Sequence, residues 1–314
     1  MGRRKVVGKQ GYRVHGYKHP WILSPALVHR QVSKSTFSSL SKTPISKIFT
    51  LTQESLTHRR PDFGVIGDFE VSHFERILDT RLEQRKSVLT SEDEVESYNV
   101  DYAGQIKGAS RLVLLPSDTE QLSDALKLCS NWNLGVVPQG GNTSLYGSGV
   151  PVFDEVIVST RRMNRILDID ADSGIVVCEA GVVPADLDKI LADPQYNLIP
   201  PIDLGSWEIC SFGGNAATNA RGIRTLKYPD FRSAITGIEA VNASGETLKF
   251  LGDTRKDLVG VDLKQCLIGT EGTFGIISKL AFCCPQRSKS TELAFFGEIF
   301  CQFILITFSR THLM

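Results

Sequence analysis

The densest chemistry in this 314-residue chain lies in runs of small residues rather than in acids, bases or nucleophiles. The first run is Pro138-Gln139-Gly140-Gly141-Asn142-Thr143-Ser144-Leu145-Tyr146-Gly147-Ser148-Gly149. Two adjacent glycines after a strand allow φ above zero, so successive backbone N–H groups can converge into a nest for phosphate oxygens, with Asn142 and Thr143 adding hydrogen bonds. Read alone, the run is equally a plain loop of glycine turns. A second run, Phe212 to Gly222, repeats the pattern as Gly213-Gly214-Asn215 and adds Thr218, Asn219 and Ala220. A third, Ile268 to Ile277, sets Gly269, Gly272 and Gly275 around Glu271 and an apolar end that includes Ile276. Three such loops in one chain predict backbone approaching a single extended ligand at several points, and the first suits a pyrophosphate. Other nucleotide motifs fail. No Gly-x-Gly-x-x-Gly opens a helix after the first strand, Pro151 blocks helix propagation after Gly149, and no Gly-x-x-x-x-Gly-Lys-Ser/Thr run occurs.

Metal-ligand and covalent chemistry is thinly supplied. The seven cysteines (Cys129, Cys178, Cys210, Cys266, Cys283, Cys284 and Cys301) contain no Cys-x-x-Cys spacing, so neither a disulfide framework nor a zinc cradle is indicated, and most read as small buried hydrophobes. The histidines are His15, His19, His29, His58, His73 and His312, with none between residues 74 and 311. A histidine base, metal ligand or cofactor attachment therefore cannot be built from the body of the chain. No catalytic residue and no metal ligand is assigned.

The elements that must position these loops follow from local pattern. Ser91 with Glu94 has the capping-box form and opens a short helix toward Tyr98. Arg111 to Leu115 reads as a buried strand stopped by Pro116, after which Thr119 caps a helix carrying Leu122, Ala125, Leu126 and Cys129 at helical spacing. Val136-Val137 starts the strand from which the first loop leaves, giving a strand, helix, strand unit. Short strands follow at Val156 to Ser159, Arg165 to Asp168 and Ile175 to Cys178. Pro184 suits a first helical turn, with Leu187, Ile190 and Leu191 on one face. Gly237 to Val241, Ala243-Ser244-Gly245 and Thr247 to Leu251 read as a hairpin. The mixture predicts an α+β fold.

At roughly 150 residues per domain the length suggests about two domains. Lys plus Arg balance Asp plus Glu at 35 each, which argues against a dedicated nucleic-acid binder. The balance conceals a split: residues 1–53 hold ten basic side chains and no acid, leaving 25 basic against 35 acidic residues beyond. A basic, hydroxyl-rich, acid-free leader fits a mitochondrial transit peptide; a disordered basic arm is the alternative. Leu293 to Phe308 is apolar but carries Glu298 and Gln302 and falls short of the roughly 20 residues a membrane span needs, so it reads as a core strand or an exposed end.

Taken together, the three loops and their order resemble the FAD-binding domain of the PCMH-type (vanillyl-alcohol oxidase) flavoprotein superfamily over residues 109 to 287. Val150-Pro151-Val152-Phe153-Asp154-Glu155, Asp203-Leu204-Gly205, Cys210 and Asp262-Leu263-Lys264 bring the resemblance to its D-2-hydroxyglutarate dehydrogenase branch. The resemblance implies a two-subdomain α+β FAD-binding fold. It implies non-covalent FAD with its pyrophosphate near Pro138, Gly140, Gly141, Asn142, Thr143 and Ser144. The rest of the cofactor would pass Pro201, Gly205, Gly213, Gly214, Asn215, Thr218, Asn219, Ala220, Glu271, Gly272 and Ile276. It further implies oxidation of D-2-hydroxyglutarate to 2-oxoglutarate by hydride transfer to flavin, in the mitochondrial matrix, with electron-transfer flavoprotein as acceptor. The alternatives are a D-lactate dehydrogenase, an alkyl-glycerone-phosphate synthase-like flavoprotein or a non-catalytic FAD-binding product.

The implied organisation is a transit peptide over 1–53, an N-terminal helical segment over 54–108, the FAD-binding domain over 109–290 and a divergent tail over 291–314. The family's substrate (cap) domain is expected to be largely absent, and with it the ligands of the family's zinc, so weak or no turnover is expected. Ser144 and Arg221 stand where such proteins often have glycine, and Trp207-Glu208 replaces smaller or basic residues. Arg221 either crowds the cofactor or points to water.

Overall fold

The structure, a computed structural model, describes residues 62–78, 86–228, 230–252 and 260–289. The basic leader and the Leu293 to Phe308 stretch lie outside the described residues. Apolar runs too short to cross a core by themselves are gathered into two sheets. In the first, β1 (Val88–Leu89) runs antiparallel to β2 (Val113–Leu114), β2 lies parallel to β4 (Val156–Ser159), and β4 lies parallel to β3 (Val136–Gln139). The expected strand, helix, strand unit is present as β2, α3 (Thr119–Asn131) and β3, with β4 inserted between its two strands.

The second sheet is antiparallel throughout, in the order β5 (Ile166–Asp170), β6 (Ile175–Glu179), β9 (Ile276–Cys283), β7 (Ile235–Val241) and β8 (Thr247–Phe250). The expected hairpin is β7–β8. Both sheets with their helices make the α+β fold the sequence predicts. The third small-residue run feeds β9, the central strand, whose place between β6 and β7 depends on pairings remote in sequence.

Helices close the exposed faces. Leu122, Ala125, Leu126 and Cys129 of α3 are buried with Phe74 and Leu78 of α1 (Asp68–Leu78), with the first sheet, and with Val241 and Ile276 of the second, so α3 is packed against both sheets. α2 (Glu92–Asn99) buries Val95 against Val113, Leu115 and Ile157. α4 (Pro184–Leu191), α5 (Phe212–Ala217) and α6 (Phe231–Ala234) cover the second sheet, where Phe212 lies 4.6 Å from Phe282 and 5.8 Å from Phe231 between ring centroids.

Several local expectations are corrected. The cap of α3 is Asp118, whose carboxylate accepts from Gln121 N at 2.8 Å; Thr119 is the first helical residue and donates its hydroxyl to Glu239 instead. Ser91 does start α2, but its hydroxyl donates to the Glu94 carboxylate at 2.5 Å rather than accepting from the helix backbone. Ile190 is turned outward, since the buried face of α4 is formed by Pro184, Leu187 and Leu191. Strand limits shift by one or two residues. α5 has no counterpart among the expected helices, because two glycines in six residues give it neither propensity nor a periodic stripe.

Candidate functional site

The three small-residue runs meet where the two sheets adjoin. A cavity of about 410 Å³ is lined by the loop leaving β3, by the start and end of α5, and by the turn entering β9. Pro138, Gly140, Gly141, Asn142, Thr143 and Ser144 line it from the first run; Gly213, Gly214, Asn215, Thr218 and Ala220 from the second; Glu271, Gly272 and Ile276 from the third. The remaining three expected positions do not. Pro201 is buried, and Gly205 sits between the lining residues Leu204 and Ser206 without lining the cavity itself. Asn219 takes φ 46° and accepts from Arg232 N at 3.2 Å, which ties the end of the second run to α6.

The reason for the first double glycine differs from the expected one. Neither Gly140 nor Gly141 has a positive φ; the left-handed residue is Asn142, at 54°. What both positions require is the absence of a side chain. A β-carbon on Gly140 would stand 2.5 Å from Ser211 Oγ, and one on Gly141 would overlap the Ile209 carbonyl oxygen and come within 2.8 Å of Cys210 Cα. The loop therefore lies directly on the segment that starts α5, where Ser211 caps the helix by accepting from Gly214 N at 3.3 Å. The loop is tied from its other side as well: Gln139 Nε2 donates to Tyr98 O and Gly149 O, and Asn142 Nδ2 donates to Val100 O at 2.7 Å. The Asn142 amide nitrogen thus orders the loop, and the Asn142 contribution to a ligand passes to the backbone.

Gly213 presses on Ala180, donating its N–H to Ala180 O at 2.7 Å. Gly214 is different. A β-carbon there would meet Ser211 Oγ at 3.2 Å and otherwise little, so a side chain would grow into the cavity. The third run closes over the first: Glu271 N donates to Ala217 O, φ at Gly272 is 83°, and a β-carbon on Gly272 would collide with the Pro138 ring. These observations fit an extended ligand bearing a pyrophosphate, held by backbone N–H groups against walls that include Leu204, Ile276 and Ile277.

The cavity's polar side chains are mostly hydroxyls, and Thr160, Ser206 and Ser211 join it without having been anticipated. Ser211 is of a helix-capping type, but Gly213-Gly214 hide the helix it caps, and Thr160 carries no local signal. Charge is sparse: Arg221 and Glu271 are the charged residues lining the cavity. Trp207 has a structural use, lying under the Arg224 guanidinium 5.5 Å from its ring centroid. Burial pushes the Cys129 thiol up to about 12 and holds the Cys178 and Cys284 thiols above their ordinary value, so these are inert packing groups. Among the described residues no group of three or more His, Cys, Asp or Glu is arranged to hold a metal, and no helix is long and apolar enough to cross a membrane.

Comparison with known proteins agrees with this geometry. Residues 110–251 match the family described as FAD binding domain. D-2-hydroxyglutarate dehydrogenase, mitochondrial, of Arabidopsis thaliana is 40% identical over 267 residues, covering 84% of this chain and 46% of that protein. The Rattus norvegicus protein of the same name is 38% identical over 277 residues, 88% of this chain and 50% of that one. A D-2-hydroxyglutarate–pyruvate transhydrogenase of Saccharomyces cerevisiae is 39% identical over 241 residues, 76% of this chain and 47% of that one. The chain thus spans about half the length of these relatives. Among solved structures, an alkyldihydroxyacetonephosphate synthase superposes with TM-score 0.61 at 23% identity over 73% of this chain and 46% of that one. p-Cresol methylhydroxylase with substrate bound does so with TM-score 0.58 at 18% identity over 71% and 44%. Both share the fold.

Proposed function

We propose that this chain is a member of the PCMH-type FAD-binding superfamily, related within it to the D-2-hydroxyglutarate dehydrogenases, that it holds FAD non-covalently between its two sheets, and that it serves the oxidation of D-2-hydroxyglutarate to 2-oxoglutarate. The observation that carries this reading is the convergence of three separate small-residue loops on one cavity. When bound, FAD supplies the hydride acceptor. The chain's own residues do the holding. Backbone N–H groups of Gly140 to Ser144 would take the pyrophosphate oxygens, the Thr143 and Ser144 hydroxyls would add donors, and Leu204, Ile276 and Ile277 would keep water from the ring system. Among the described residues attachment through histidine is disfavoured by position: His73, on α1, meets Phe69 at a tilt and Trp132 edge-on, and it does not line the cavity.

Three finer parts of the reading extend beyond the cavity. Electron-transfer flavoprotein would be the partner that takes up the electrons released by the oxidation. The zinc that the family implies has no ligand set among the described residues. Residues 1–53 direct the chain to the mitochondrial matrix, as the names of the Arabidopsis and rat relatives support for the organelle. A reporter fused behind the whole chain should enter mitochondria and should stay cytosolic when residues 1–53 are deleted; continued import of the deletion removes the leader from this role.

The cofactor reading is tested at Gly214. Because a side chain there enters the cavity while alanine-like residues favour a helix over glycine by up to about 1 kcal/mol, Gly214→Leu should leave the melting temperature unchanged or slightly raised and weaken FAD binding at least tenfold. Flavin absorbance after gel filtration reads the binding. Full retention of FAD by this variant takes the cofactor out of the cavity. Dye-linked reduction by the FAD-loaded chain with D-2-hydroxyglutarate tests the oxidation, with a rate well below the roughly 10 per second of an average enzyme expected.

A further inference from the structure

Three arginines surround the end of α5, and the structure uses them differently. Arg224 donates to Pro200 O, pairs with Asp203 at 3.3 Å and stacks on Trp207. Arg232 donates to Gln265 Oε1 at 3.0 Å and to Ile268 O at 2.7 Å. Both forks are spent on holding the segment together. Arg221 reaches one acid, Asp230, at 3.6 Å, with 67% of its side chain exposed, and it lines the cavity. Asp230 does not need this contact for its own role, since its other carboxylate oxygen accepts from Ser233 N and caps α6.

Position along α5 separates Arg221 from the pyrophosphate nest. Gly140 and Gly141 lie on Ile209 to Gly214 at the start of the helix, and a six-residue helix rises about 9 Å from that end. Arg221 follows the other end, beside the segment Asp203 to Ser206: Ile223 N donates to Asp203 O, and a β-carbon on Gly222 would overlap that same carbonyl. The second charged lining residue, Glu271, is fixed by its backbone at Ala217, the last residue of the helix, and among the described residues no ion pair joins it to Arg221. A planar, permanently charged guanidinium with one long contact, facing a cavity, is suited to bidentate capture of an oxyanion.

We infer that Arg221 is an oxyanion-docking residue at the end of the cavity away from the nest, which leaves Asp230 to grip either the carboxylate of the hydroxy-acid substrate or a phosphate of the dinucleotide. The inference deepens the FAD reading and depends on it only for the identity of the second anion. It also gives a purpose to an arginine where the resemblance leads one to expect glycine.

The test is titration calorimetry on the whole chain, both FAD-free and FAD-loaded, with D-2-hydroxyglutarate, inorganic pyrophosphate and FAD as probes, comparing wild type with Arg221→Gln and Arg221→Lys. Arg221→Gln should keep the wild-type melting temperature, because the side chain is largely exposed and the α6 cap remains. Loss of at least about tenfold in D-2-hydroxyglutarate affinity, with FAD affinity within about twofold, assigns the site to the carboxylate. A comparable loss for FAD and pyrophosphate, accompanied by a shallower salt dependence, assigns it to phosphate. Arg221→Lys should recover part of either loss. Unchanged affinities for all three probes in Arg221→Gln overturn the inference. If wild type fails to take up FAD, the cofactor reading falls while the hydroxy-acid and pyrophosphate titrations on the FAD-free chain still decide the role of Arg221.

Discussion

Glycines that look alike in sequence do different work. The sequence reading puts Gly141 at the pyrophosphate of the cofactor, so that Gly141→Val would fail by steric clash with it. The structure puts Gly141 against the backbone of Ile209 and Cys210. Gly141→Val should therefore destabilise the protein itself, by roughly 1–3 kcal/mol for an overpacked site, with flavin lost as a consequence. A lowered melting temperature of the FAD-free variant checks this; an unchanged one would return Gly141 to the cofactor surface. Paired with Gly214→Leu, which should affect the flavin alone, the two variants separate scaffold from ligand contact. Residue types at the site were legible because glycine, asparagine and threonine clusters are rare enough to be noticed. Which of them face a ligand and which face another loop was not, since that depends on a neighbour such as Ile209, some 70 residues away in sequence.

Among the elements, those with a strong local period were legible: α3 through its stripe of Leu122, Ala125, Leu126 and Cys129, and the β7–β8 hairpin through its Ala243-Ser244-Gly245 turn. The tie between them was not. Glu239 of β7 is 6% exposed and faces Lys279 of β9 as a cross-strand pair, 2.8 Å apart. It also accepts from Thr119 of α3 at 2.6 Å and from Ser278 at 3.1 Å. Ser278 reaches it because β9 spends two residues opposite one at this point, a bulge that turns the hydroxyl toward the carboxylate. Burial works to raise the Glu239 pKa, but the hydrogen bonds from Lys279, Thr119 and Ser278 outweigh it and hold the carboxyl below its usual value. A lowered folded-state pKa means stability that is present above the unfolded value, near 4.3, and lost as pH falls through the folded one. Glu239→Gln should cost roughly 1–3 kcal/mol at neutral pH. It should also flatten the decline of wild-type stability below about pH 4.3. Denaturant melts at pH 7 and across the acid range check both; an identical acid profile in the variant would remove Glu239 from the linkage.

At the scale of the molecule, the order of strands has a consequence for synthesis. The strand that completes the second sheet, β9, is made after all of its neighbours, yet it lies between β6 and β7 and brings Gly275, Ile276 and Ile277 to the cavity wall. While the chain is still leaving the ribosome, β6 and the β7–β8 hairpin have an open gap between them, and the ligand cradle has two of its three sides. Closing that gap requires pairing residues about 100 positions apart, which is slow compared with helix formation. Nascent chains arrested before Ile276 emerges should neither retain flavin nor resist protease across residues 166–250, and chains arrested well beyond Cys283 should do both. Retention by the shorter species would mean that the cradle forms without its central strand. The interval before β9 emerges leaves apolar edges of β6 and β7 open to other chains, so an encounter with cofactor or chaperone is of most use to this protein late in its own translation.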